Sequence, residues 1–124
     1  MKDEGGSKPQ DLKARTRQYS LRVIRLFDSL PKTTTAQVIG KQLLRSTTSA
    51  GAQYREAQRA KSDADFINKN EGVLQELDES AYWLELLSDA GIVKPENLTL
   101  LQKETDELIA IFVTIVNKVK SRRK

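Results

Sequence analysis

The chain has no cysteine and no histidine among its 124 residues. The first absence excludes a disulfide framework and a thiolate nucleophile. Together they exclude zinc sites built on Cys or His, and Ser-His and Cys-His catalytic pairs. The His-dependent di-iron sites of some helical bundles are excluded too. Aromatic residues make up only 6%, proline occurs 3 times and glycine 6 times. No run of about 18 apolar residues occurs, so no membrane span is expected. The start shows no cationic stretch followed by an apolar run and a small-residue cleavage site, so no signal peptide is expected either. A cytoplasmic protein is the default expectation.

Charge is what the chain has in quantity. Residues 1–62 hold 13 Lys and Arg against 5 Asp and Glu, a net of +8. Residues 63–117 hold 3 against 12, a net of −9, and residues 118–124 add five cations. The overall +4 therefore hides a segregated chain. Two readings follow. A basic face could meet a polyanion, or basic and acidic helices could pair with one another, within the chain or between subunits.

Residues 1–10 are polar, carry Gly5, Gly6 and Pro9, and read as a disordered tail. Residues 11–120 read as four helices and residues 121–124 as a basic C-terminal tail. Helix one, from Asp11 to Leu30, has the stripe Leu12, Thr16, Tyr19, Val23, Leu26 and Leu30, spaced by threes and fours. Asp11 is its expected N-cap and Pro31 its stop. Helix two starts in Thr33-Thr34-Thr35 and runs to about Arg59 on Ala36, Ile39, Leu43, Ser46, Ala50, Gln53 and Ala57. Its Ser46–Ala52 stretch is small and polar, and tight packing is expected to offset the helix weakening at Gly51. Helix three starts at Ser62, with Asp65 in a capping-box position. It uses Phe66, Asn70, Val73, Leu77, Ser80, Leu84 and Leu87 and stops at Gly91. Helix four opens at Pro95 and uses Leu98, Leu101, Thr105, Leu108, Phe112, Ile115 and Val119. Short loops between long helices predict an all-α, antiparallel up-down-up-down four-helix bundle.

Further apolar residues lie off these stripes: Leu21 and Ile24, then Tyr82, Trp83 and Leu86, then Ile109, Val113 and Val116. Exposed apolar faces usually mark interfaces, so these residues are the candidate contacts of a homo-oligomer.

Reactive chemistry has little to work with. The adjacent carboxylates, such as Asp63 and Asp65 or Asp106 and Glu107, point in different directions on a helix. Ser46–Ser49 read as packing residues, and Lys41 lacks a glycine-rich phosphate loop. No catalytic residue, metal site or cofactor is expected, and binding is favoured over turnover. The basic candidates are Lys13, Arg15, Arg17, Arg22 and Arg25 on helix one, and Arg45, Arg55, Arg59 and Lys61 on or after helix two. Lys118, Lys120, Arg122, Arg123 and Lys124 at the end join them. The end of helix four is expected to return to the loop after helix two, gathering cations at one end of the bundle. RNA or DNA phosphate is the commonest partner for such a patch. An acidic protein partner would explain the same charges.

The stretch GKQLLRSTTSAGAQYREAQRA (Gly40 to Ala60), followed by Lys61-Ser62-Asp63-Ala64-Asp65-Phe66-Ile67, resembles a bacterial four-helix bundle family. That family is associated with intervening sequences in 23S ribosomal RNA genes. ELDESAYWLELL (Glu76 to Leu87) and Leu30-Pro31 fit it too, so the resemblance spans roughly residues 11–120. Positions that look like the family motif are Arg45, Ser49, Gly51, Ala52, Arg55, Glu56, Arg59, Asp65, Phe66, Glu76, Tyr82, Trp83 and Glu85. Many members carry Asn where Gln53 stands. The resemblance implies an antiparallel bundle assembled as a homopentamer. It also implies kinship with the accessory variability determinant of diversity-generating retroelements, a basic pentamer that associates with a reverse transcriptase and with nucleic acid. A nucleic-acid-binding bundle, or alternatively a scaffold for a neighbouring enzyme such as a reverse transcriptase, is the expectation that follows.

Overall fold

The computed structural model describes residues 11–122. Within them lie four α-helices and no strand: α1 (Leu12–Ser29), α2 (Thr34–Ala57), α3 (Asp63–Asp89) and α4 (Thr99–Arg122). A 3₁₀ turn, Pro95–Asn97, leads into α4, so Pro95 shapes the entry rather than the first turn of the helix itself. The expected tail, residues 1–10, lies outside the described residues, as do Arg123 and Lys124. Ser121 and Arg122 continue α4 rather than leaving it.

The starts of α1, α2 and α3 are each made by a short polar side chain that accepts a backbone N–H otherwise left without a partner. Asp11 accepts from Ala14 at 3.1 Å, Thr33 from Ala36 at 3.2 Å and Ser62 from Asp65 at 3.1 Å. The Asp65 carboxylate reaches back to the N–H of Lys61 at 3.1 Å, one residue earlier than a standard capping box. Gly91 closes α3 with φ +72°, a conformation that disfavours other residues.

The helices adjoin in the order α1–α2–α3–α4, with α2 and α3 in the most extensive contact and α1 and α4 in a slighter one. Most of the stripe residues read from sequence form the core; Leu26 and Gln53 are only half-buried, and there are three one-residue exchanges. Gly40, Ile67 and Val116 are buried where Ile39, Phe66 and Ile115 were expected. Val116, expected on an outer face, is 4% exposed and packs with Ile67 and Val119 in a small cluster at one end. Placing Val116 inward follows from the α4 contact line stepping four residues from Phe112 rather than three.

A polar layer crosses the middle of this core, one residue from each helix. The Tyr19 and Thr105 hydroxyls lie 2.6 Å apart and those of Ser46 and Ser80 lie 2.7 Å apart. All four residues are at most 1% exposed. Burial pushes the Tyr19 phenol up to about 12, against the opposing hydrogen bonds of Thr105 and Ser80.

Candidate nucleic-acid interface

Arg15 and Arg17 stand two positions apart on α1, about 200° around a helix of 3.6 residues per turn, and so face opposite flanks. Arg15 turns to α4. Its guanidinium donates from Nε to Glu104 at 2.8 Å and from a terminal nitrogen to Glu107 at 2.9 Å. The hydrogen bond and charge of Glu104, seconded by Glu107, hold its pKa above the usual arginine value despite burial. Arg17 turns to α2. There, with Lys13, it lines a groove whose opposite wall carries Arg55 and Thr48, and whose floor is Gly51, Ala52, Thr16 and Ser20. The groove encloses about 350 Å³, and no carboxylate is among its lining residues.

The other basic candidates divide the same way. Arg45 reaches Glu79 at 3.3 Å and Glu76 at 4.0 Å. Lys120 meets Glu71 at 2.8 Å, and Arg122 approaches Asp63 at 3.9 Å. By contrast, Lys13, Arg17, Arg22, Arg25, Arg55, Arg59, Lys61 and Lys118 make no ion pair with any described residue. The question posed by the segregated charge thus has a divided answer. One flank of α1 serves the fold, and the seam it shares with α2 stays unneutralised. The exposed pairs of Lys120 and Arg122 are each worth only about 0–1 kcal/mol, so an incoming polyanion could exchange them at little cost. The Arg15 pair is two-pronged, with Glu104 only 16% exposed, and is best regarded as structural.

The end of α4 does arrive beside the loop after α2. Lys61, Ser62, Asp63, Phe66 and Arg122 line one hollow of about 360 Å³. Asp63 sits among these cations, and Asp65 is close by in sequence, so this end is mixed in sign rather than a continuation of the basic groove.

The apolar candidates outside the core are spread over three helices. Ile24 is 38% exposed on α1, Tyr82 is 52% exposed on α3 and Val113 is 41% exposed on α4, while Leu21, Trp83, Leu86 and Ile109 are half-buried. Sequence reasoning did not single out a further hollow of about 580 Å³, lined by Leu12 at the start of α1, Tyr54 on α2, and Ile111, Ile115 and Lys118 on α4. Tyr54 packs edge-on to Phe112 there, with ring centroids 5.4 Å apart.

Four packed helices, with a basic seam that no described acid lines, define a small all-α protein. The chain belongs to the 23S rRNA-intervening sequence protein family, which matches it over residues 9–114. A similar crystal structure is that of a protein of unknown function from the S23 ribosomal protein family of Bacteroides thetaiotaomicron. It is 35% identical, with a TM-score of 0.79, and the match covers 85% of this chain and 97% of that one. No curated protein matches this chain.

Proposed function

We propose that this protein is a non-enzymatic, cytoplasmic, antiparallel bundle that assembles into a homopentameric ring and binds RNA or DNA backbone through its basic helices. The observation that carries the binding is the α1–α2 seam, where Lys13, Arg17 and Arg55 pair with no described carboxylate and no described acid lines the groove between them. The antiparallel arrangement is supported by polar pairs whose numbers run in opposite directions: Ser46 with Ser80, Gln53 with Glu76 and Glu56 with Lys69. The ring is supported by the exposed apolar residues Ile24 on α1 and Tyr82 on α3, with Val113 on α4 as a third. Helices α1 and α3 adjoin α2 and α4 rather than each other in any substantial way. Two different faces of one subunit are what a head-to-tail ring uses. A ring would repeat the basic seam and raise avidity for a polymer.

Binding of labelled RNA and DNA followed by fluorescence anisotropy at two salt concentrations tests the reading. Three neutralised phosphates give a salt slope of about −2.7, hence about 40-fold weaker binding per groove between 50 and 200 mM salt. Absence of binding at 50 mM, or binding indifferent to salt, refutes it. The exposed Tyr82, in ring contact with Trp83 at 5.0 Å on α3, supports a second reading, a protein scaffold. A stoichiometric protein partner retained after nuclease treatment would favour that reading.

A further inference from the structure

We infer that the α1–α2 groove receives the phosphate backbone of a double-stranded nucleic acid rather than an unpaired strand; this rests on the nucleic-acid reading above. The first reason is the position of every aromatic ring in the chain. Tyr19 and Phe112 are buried, and Phe27, Tyr54, Phe66 and Trp83 are half-buried. Only Tyr82 is exposed, and it stands on α3. None lines the groove. Proteins that hold single strands draw much of their affinity from bases stacked on aromatic rings, and this groove has no ring on which to stack them.

The second reason is the donor chemistry. The hydroxyls at the groove already spend their protons on the helix backbone. Thr16 donates to the Leu12 carbonyl at 2.7 Å, Thr48 to that of Leu44 at 2.8 Å and Ser20 to that of Thr47 at 3.3 Å. With those protons committed, they have none left to donate to phosphate oxygens. The side-chain donors left are the cations Lys13, Arg17 and Arg55. Such a set suits phosphate oxygens, and no amide or carboxylate side chain lines the groove to read adenine or cytosine edges.

The third reason is charge density. A duplex carries one charge per about 1.7 Å of axis, against about 3.4 Å for each strand alone. The counterion slope per phosphate is correspondingly steeper, about −0.9 against −0.7. For three contacts that difference favours the duplex by about sixfold at 50 mM salt relative to 1 M.

The test compares the full chain binding a mixed-sequence 24-base-pair RNA duplex, its DNA counterpart, and 24-nucleotide oligo(U) and oligo(dT). Duplexes of both kinds are expected to bind more tightly than the single strands at 50 mM salt, by a margin that grows about sixfold for a roughly twentyfold fall in salt. The double variant Arg17→Gln, Arg55→Gln is expected to reduce the salt slope by about 1.8 and to weaken duplex binding on the order of a hundredfold. The control Lys103→Gln, on exposed α4 surface, is expected to leave the duplex affinity unchanged. All variants are first shown to melt as the parent does. Single strands binding as tightly as duplexes would overturn the inference while leaving the nucleic-acid reading in place, whereas a double variant with undiminished duplex binding would overturn the inference and remove the seam on which that reading rests. Failure of the parent to bind any of the four probes would overturn both.

Discussion

Replacing Tyr19 by Phe removes one oxygen from the centre of the bundle and leaves the ring in place. The Thr105 hydroxyl donates to the Leu101 carbonyl at 2.9 Å, so in the 2.6 Å contact the donor is Tyr19. Tyr19→Phe thus deletes a donor and strands none, costing about 0.5–1.5 kcal/mol. Thr105→Val deletes the acceptor instead. The buried Tyr19 O–H is then left with only Ser80, which already faces the Ser46 hydroxyl and donates to the Glu76 carbonyl. That change is expected to cost more, about 1–3 kcal/mol. Once Tyr19 is Phe, Thr105→Val strands nothing, so the double variant should be more stable than the summed single costs imply, by about 1 kcal/mol. Urea denaturation followed by circular dichroism measures all four corners of the cycle. Protein concentration must be held fixed, because assembly would move the midpoint. Single costs that add within about 0.3–0.5 kcal/mol would mean the two hydroxyls act independently, and the reasoning about the layer would fail.

Three further outcomes follow from the same structure. Because the Tyr19 phenol is pushed up to about 12 from 10.0, the folded state keeps a proton that the unfolded chain has lost. Stability is fully present below pH 10 and falls by about 1.4 kcal/mol per unit above it until the folded value is reached. Alkaline melts of Tyr19→Phe should lack that slope, and an unchanged slope would contradict the assignment. Burial first, then the charge of Glu79, raises the pKa of Glu76 above 4.5, while Arg45 lowers it. Ionised Glu76 therefore weakens the fold as pH rises above about 4.5, and Glu76→Gln should melt with a flatter pH dependence than the parent just above that point. Among the glycines, a methyl at Gly51 meets nothing nearer than 3.8 Å, whereas one at Gly40 meets Phe27 at 2.9 Å and Leu30 still closer. Gly51→Ala should stabilise by about 0.5–1 kcal/mol, and Gly40→Ala should lose that gain to repacking; equal effects in thermal melts would refute the distinction.

The helices were legible because the three- and four-residue spacing of α1 and α3 leaves few other ways to bury Tyr19, Val23, Leu77 and Leu84. What escaped was the choice between two neighbours. At Ile39-Gly40, Phe66-Ile67 and Ile115-Val116 adjacent positions both suit a core, and only the drift of the contact line along a helix of 3.6 residues per turn decides. Gly51 was expected to need tight packing. The close approaches lie instead at Gly40 and at Gly72, which has the Gln53 carboxamide over it. The site was less legible than the fold. The segregation of charge was plain, but the sorting of cations was not. Arg15 and Arg17 look equivalent in sequence, and their difference depends on Glu104 lying 89 positions away.

The basic seam itself follows from the order of the helices. A bundle in which neighbours in sequence are neighbours in space must place α1 against α2, and these are the two cationic helices. The acids they carry lie elsewhere. Asp28 is in the last turn of α1, far along the helix from Lys13 and Arg17, and Glu56 faces α3, where it pairs with Lys69 at 3.1 Å. The acidic helices α3 and α4 can reach the outer flanks of the basic pair, where they capture Arg15 and Arg45, but no described acid lines the seam between α1 and α2. Moving an acid into that seam, as in Thr48→Glu, should weaken polyanion binding while leaving the exposed helix surface folded. Lys103→Gln on exposed α4 surface, which changes the net charge by the same single unit, should have much less effect on binding. Equal loss from both would mean that net charge, rather than the seam, governs association.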